Sequence, residues 1–212
     1  MKYLIWILSM VTYANSICAG DNPARIMFFG DSICAGSDIP DGKAGDAWPM
    51  VFQNMNKGKY LVDNQSKGGR PSNSFKEFED VIGKNPVPEI LVIALGTNDS
   101  RDLSKDMADK ACANLRKMVG LASEKGVKRI ILIGPYNINK EALKATYNIR
   151  NEREDNIKKL NAAFKALAAE LNTEFLSMHG VVPGESMSKD GVHPDVKGEM
   201  LIAEYFQEFM TK

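Results

Sequence analysis

The chain predicts a three-layer α/β/α sandwich, with one parallel sheet of about five strands and helices packed on both faces. Three observations predict it. Short apolar runs alternate with longer stretches whose apolar residues recur every three or four positions, as in strands joined by crossover helices. The strongest run is apolar throughout, as a strand covered on both faces must be. The length of 212 residues suits one domain with a single sizeable core and would crowd two.

The elements follow in order. Arg25 to Phe29 is a short apolar run stopped at Gly30, read as the first strand. Asp46 to Met55 is expected as a short helix, Lys59 to Asp63 as the second strand and Asn73 to Ile82 as another short helix. Glu89 to Leu95 is the strongest strand, rich in β-branched residues. Leu103 to Lys125 carries a helical stripe through Met107, Ala111, Leu115, Met118, Val119 and Ala122. Lys128 to Gly134 is the fourth strand. Glu152 to Leu171 repeats the helical pattern with Ile157, Leu160, Ala163, Phe164 and Leu167. Thr173 to Ser177 is the fifth strand, and Asp195 to Met210 the closing helix, with Asp195 as its cap. Ligands of such sheets bind beyond the carboxyl ends of the strands, so the loops that follow strands are the place to look for chemistry.

The first residues read differently. Lys2 gives a positive start, Tyr3 to Val11 is mostly apolar, and small residues follow at Ala14, Ser16, Ala19 and Gly20. This order predicts a signal peptide over 1–19, with 20–212 as a single domain in a secreted or periplasmic protein. Cleavage after Ser16 or Ala19 fits, and Ile17 argues against a lipid-bearing Cys18. The apolar run is far short of the ~20 residues a spanning helix needs, so no stable membrane span is expected. Lys plus Arg and Asp plus Glu both number 27, which leaves no net field to draw in nucleic acid. Of three Cys, Cys34 and Cys112 lie beyond the signal; a disulfide is open to them, and each also reads as a small buried hydrophobe.

Four loops carry chemistry-bearing residues. Gly30-Asp31-Ser32 ends the first strand, and Gly30 permits a tight turn that sets Ser32 at a helix N-terminus, where N–H groups favour negative charge. Gly96-Thr97-Asn98-Asp99 ends the third strand, which abuts the first if the order is 2-1-3-4-5, so the Asn98 amide can aim at the same space. Asn64 to Ser72 follows the second strand, and Gly68 and Gly69 let a backbone N–H approach a ligand closely. Asp190-Gly191-Val192-His193 precedes the last helix, an acid spaced to hold Nδ1 of an imidazole and leave Nε2 free as base. Alone, each has a bland alternative: an N-cap at Ser32, Asx-turn caps at Asn98 and Asp99, an ordinary glycine loop and a surface loop before a helix. Together they supply nucleophile, base, orienting acid and oxyanion donors, the set for acyl transfer. Asp31 and Asp99 are expected to shape their turns, His179 is read as structural, and Arg70 is left as either a substrate contact or a solvated loop charge.

With these blocks in this order the chain resembles the SGNH, or GDSL-type, hydrolases. Gly30-Asp31-Ser32 is similar to their nucleophile block, Gly69 stands where their oxyanion glycine falls, Gly96-Thr97-Asn98-Asp99 resembles the block with the oxyanion Asn, and Asp190-Gly191-Val192-His193 the closing acid and base. The resemblance implies a flavodoxin-like sheet and hydrolysis of esters or thioesters without metal or cofactor. Ser32, His193 and Asp190 are then the triad, and the Ser32 and Gly69 N–H groups with the Asn98 side chain the oxyanion hole. Subfamily features diverge. Ala47-Trp48-Pro49 looks like a thioesterase or lysophospholipase feature, Gly69-Arg70 with Ser74-Phe75 like carbohydrate acetylesterases, and Leu95 to Ser100 like arylesterases. The expected substrate is a small-molecule or carbohydrate ester of a short acyl group, acetyl first. The alternatives are a lysophospholipase or thioesterase on the same triad, acyl transfer to an alcohol, a non-catalytic glycan binder, and a metal-dependent phosphoesterase using Asp31, Asp99, Asp190 and His193.

Overall fold

A computed structural model of the chain describes residues 22–37, 39, 42–143 and 150–212. The expected signal segment, 1–19, lies outside the described residues. Five strands, β1 (Ala24–Gly30), β2 (Tyr60–Asn64), β3 (Ile90–Ala94), β4 (Arg129–Gly134) and β5 (Glu174–Ser177), form one sheet in the order β2-β1-β3-β4-β5. Every neighbouring pair is parallel, with Phe28 beside Asn64 on one side and Val92 on the other. The strand order reverses at β1 and β3, so the carboxyl ends of those strands open a crevice for a ligand.

Helices α1 (Ser32–Ala35), α2 (Trp48–Met55), α3 (Phe75–Lys84), α4 (Met107–Glu124) and α5 (Arg150–Glu170) lie in the crossovers, and α6 (Val196–Met210) follows the last strand. The strand alternation explains how they divide. Met27, Phe29, Leu91, Ile93 and Leu132 point to one face and pack on α3, α4 and α5 through Phe78, Leu115, Met118, Leu160 and Phe164. Ile26, Phe28, Val92, Ala94 and Ile131 point to the other and pack on α2 and α6 through Trp48, Phe52, Ile202 and Phe206. Phe28, Trp48 and Phe206 meet edge to face at 5.1 to 5.7 Å, the geometry that aromatic quadrupoles favour.

This division settles the cysteines. Cys34 and Cys112 are both free. Cys34 belongs to the α2–α6 face and Cys112 packs against the opposite one, with the sheet between them, so the disulfide left open by the sequence does not form. Three helices start two or more residues later than expected: α3 at Phe75 rather than Asn73, and α4 and α2 where a carboxylate bonds its own backbone. Asp102 accepts hydrogen bonds from the N–H and hydroxyl of Ser104, a local turn that delays α4 to Met107 and leaves Leu103 exposed. Asp46 accepts from Lys43 N within a short 3-10 turn, and α2 begins only at Trp48, with Pro49 in its first turn.

Candidate active site

The turn after β1 is built by close packing. A Cβ at Gly30 would come within 2.5 Å of the Cys34 Cβ, so only glycine lets the strand turn so tightly over α1. The Asp31 N–H donates to Ala94 O at 3.2 Å, anchoring the turn to β3. The Asp31 carboxylate accepts from Ile33 N at 3.1 Å and caps α1. This is the turn-shaping role expected of it. Ser32 takes the first helical position, partly exposed, where its N–H precedes any intrahelical acceptor.

The loop before α6 brings the imidazole. Met187 and Pro194 form an antiparallel bridge, Ser188 N donates to His193 O at 2.7 Å, and Gly191 N donates to Ser188 O at 3.0 Å. Asp190 Oδ1 accepts from the Ser188 hydroxyl, Val192 N and His193 N at 2.7 to 3.0 Å. Its Oδ2 lies 2.5 Å from His193 Nδ1. Burial alone would raise the Asp190 carboxyl; the hydrogen bonds from the His193 ring and backbone, Val192 and Ser188 override it and hold it well below the usual carboxylate range. An ionised carboxylate only accepts, so Nδ1 must donate to it and Nε2 is left to accept. His193 Nε2 lies 2.8 Å from Ser32 Oγ. The hydroxyl thus points its proton at a ring nitrogen already oriented from behind.

The other two loops are tied to this turn. Gly69 adopts φ of 72°, a left-handed conformation that favours glycine, and its N–H donates to no other described residue. Arg70 Nη1 donates to Gly30 O at 2.9 Å and to Gln65 O at 2.7 Å, which sets the Gly69–Arg70 backbone beside the Ser32 turn. Asn98 Nδ2 donates to Arg70 O at 3.3 Å, leaving one amide hydrogen uncommitted. Asp99 accepts from Ser72 through both N–H and hydroxyl, locking the loop after β2 to the loop after β3. Burial raises the Asp99 carboxyl while the Ser72 bonds oppose it. The donor set of a metal-centred alternative is therefore divided among separate partners. Among the described residues no three His, Cys, Asp or Glu side chains gather to hold a metal.

Residues 28–201 match the model of the GDSL-like Lipase/Acylhydrolase family. The chain belongs to that family. It is a carboxylic ester hydrolase. This GDSL-like hydrolase is 23% identical to an arylesterase of Vibrio mimicus, over 99% of both chains. It is 25% identical to an acetylxylan esterase of Xylanibacter ruminicola, over 87% of this chain and 42% of that protein. In fold it is similar to a carbohydrate acetylesterase family member from Sinorhizobium meliloti, with a TM-score of 0.75, 18% identity and coverage of 88% of this chain and 97% of that one.

In this hydrolase Ser32, Asp190 and His193 come together directly, and Gly69 and Asn98 join them through Arg70. Arg70 differs from both expectations: it is buried, pairs with Glu77 at 3.1 Å and stacks its guanidinium 3.9 Å over the Phe29 ring. His179 lies exposed, its N–H donating to Ser177 Oγ at 3.3 Å. Other residues that hold the site went unnoticed. Arg153 Nε donates to Ser100 Oγ at 3.1 Å and its Nη2 to Thr97 O at 3.2 Å, and Asn156 Nδ2 donates to Ser100 O and Asp102 O. All come from α5, and the sequence signal was there: Arg153 and Asn156 share the helix face of Ile157 and Leu160.

Proposed function

We propose that this hydrolase cleaves short acyl esters, acetyl first, from a hydroxyl-rich alcohol such as a carbohydrate, by a serine mechanism. Ser32 Oγ attacks the ester carbonyl as its proton passes to His193 Nε2. Asp190, fixed as an anion, steadies the imidazolium that results. The Ser32 and Gly69 N–H groups and the Asn98 amide meet the oxyanion. His193 then protonates the leaving alcohol, and water repeats the sequence on the acyl-enzyme.

The observation that carries this reading is the continuous contact from Asp190 through His193 to Ser32, at 2.5 and 2.8 Å. The substrate class rests on two further supports. The relatives are named for aryl and acetylxylan esters. A groove of about 370 Å³ adjoins Asp99, lined by the apolar Met107 and Ala113 together with polar groups from Ser72, Asn73, Asp102, Lys110 and Asn114 that could meet the hydroxyls of an alcohol. The Trp48 motif carries no weight for a thioesterase, because Trp48 is buried against Phe28 and Phe206 and serves the core. The test is a p-nitrophenyl ester series beside acetylated xylo-oligosaccharides and acyl-CoA. The expected result is a kcat/KM highest for acetyl and falling with chain length, with acetate released from the oligosaccharide. A preference for long acyl chains or for acyl-CoA would overturn the substrate class. Wild-type turnover by Ser32→Ala would overturn the mechanism.

A further inference from the structure

Beneath the nucleophile turn lie buried polar groups that the hydrolytic cycle does not use. Asp31 and Glu199 are both fully buried, and each has one carboxylate oxygen, Oδ2 and Oε1, without a hydrogen-bond partner. Their other oxygens take backbone N–H groups: Asp31 Oδ1 from Ile33 at 3.1 Å and Glu199 Oε2 from Trp48 at 2.8 Å. Trp48 Nε1 and the Tyr136 hydroxyl, also buried, face each other but fall short of a hydrogen bond. The surrounding layer is apolar, with Ile33, Phe28, Ile202 and Phe206.

The charged and titratable groups that face this pair come from every element packed on it. The charges of Asp31 and of Asp46, before α2, both act on Glu199. His193, Asp99 and the Thr97 hydroxyl face Asp31. Cys34 and Tyr136 lie against both. Arg70 approaches from the Cys34 side but is committed to Glu77, Gly30 and Gln65. Among the described residues no Lys or Arg forms an ion pair with either carboxyl. Two buried carboxyls in that setting cannot both ionise without a large desolvation and repulsion cost. Burial pushes Glu199 up to about 8, against the Trp48 N–H, and the charges of Asp31 and Asp46 add to the rise. Burial raises Asp31 only to about 6, because the Ile33 N–H and the nearby His193 favour its anion. Burial and the neighbouring carboxylates thus favour the neutral form of Glu199 more strongly than that of Asp31.

Position makes this matter for catalysis. Asp31 directly precedes Ser32 and caps its helix, whereas Glu199 lies in the first turn of α6, six residues after His193. Glu199 reaches across to the first residue of α2, so it braces the segment carrying the base against the layer below the nucleophile. Resting on the serine esterase reading above, we propose that Glu199 is a positioning residue: as a neutral carboxyl it ties α6 to α2 through the Trp48 N–H and keeps His193 in register with Ser32, and a charge placed on it in this apolar layer, beside the Asp31 carboxylate, strains the packing that holds α6 even though the Trp48 bond itself remains.

Glu199→Gln copies the neutral carboxyl, and its comparison with wild type is the test. The wild-type kcat on p-nitrophenyl acetate should decline on the alkaline side through pH about 8, with KM little changed. Glu199→Gln should stay close to wild type at neutral pH and lack the alkaline decline. A second readout needs no activity. A carboxyl raised in the folded state from 4.5 to about 8 binds more protons there than in the unfolded chain, so wild type loses stability as pH rises across that window. The Gln variant has no such proton to lose, so its Tm advantage should widen by a few degrees from pH about 5 to about 8 and then level off. A Tm difference constant over that range, or an unchanged alkaline decline in Glu199→Gln, would overturn the proposal. Failure of the esterase reading would show separately, as full turnover by Ser32→Ala, and would leave the Tm comparison intact.

Discussion

Asp190 shows how much one carboxylate can fix. It accepts three hydrogen bonds within its own loop and a fourth from the imidazole, so its charge is satisfied before any substrate arrives. Asp190→Asn would put an amide N–H or a neutral acceptor behind Nδ1 and free the wrong tautomer. The expected loss in kcat is on the order of 10⁴-fold, measured on p-nitrophenyl acetate. On the proposed oxyanion role, Asn98→Ala should lower kcat by about 10²- to 10³-fold and leave KM nearly unchanged. An equal rise in KM would assign Asn98 to ground-state binding instead.

The elements matter through the loops they hold. Gly191 sits between the acid and the base at φ of 73°, and its carbonyl accepts from Asn139 N at 2.8 Å. A Cβ there would lie 2.4 Å from Asn139 O and 2.8 Å from Leu143 N, both backbone atoms that cannot swing aside. Gly191→Ala should therefore cost about 1–3 kcal/mol from the strained backbone. It should also cut kcat by moving His193 away from Ser32, read as a lowered Tm together with a slowed turnover. Wild-type values of both would show that the loop after β4 does not support the triad. On the far side of the sheet, Phe206 joins Phe28, Trp48 and Phe52 in one aromatic cluster. Phe206→Ala should destabilise by about 3–5 kcal/mol in denaturant unfolding, the range for emptying a packed aromatic site.

Across the whole molecule, the architecture was written in the periodicity of the chain. All five strands fall within one or two residues of the runs that predict them; for β1, β3 and β4 this is because a strand buried on both faces tolerates few polar residues, whereas the edge strands β2 and β5 are half-buried and carry Asp63 and Glu174. The loops bearing Ser32, Asn98, Gly69 and His193 were legible for the same reason: they follow strands or precede the last helix, where the topology must gather them. Helix starts were less legible at Asp46 and Asp102, where a carboxylate bonds its own backbone and competes with the helix. Least legible were the buried charges. Nothing local distinguishes Arg70 or Glu199 from a solvated residue; each is buried by a partner 40 or more positions away, Gly30 and Trp48 respectively. The order of those partners exists only after folding.

Turnover by the proposed mechanism requires the hydroxyl at position 32 to be the nucleophile, activated by the imidazole at position 193. Treating the protein with a fluorophosphonate probe and locating the adduct by peptide mass spectrometry tests this directly. A single adduct on the peptide containing Ser32, abolished in Ser32→Ala and strongly slowed in His193→Ala, is the expected outcome. An adduct elsewhere with position 32 unlabelled, or no adduct in protein that hydrolyses esters, contradicts it.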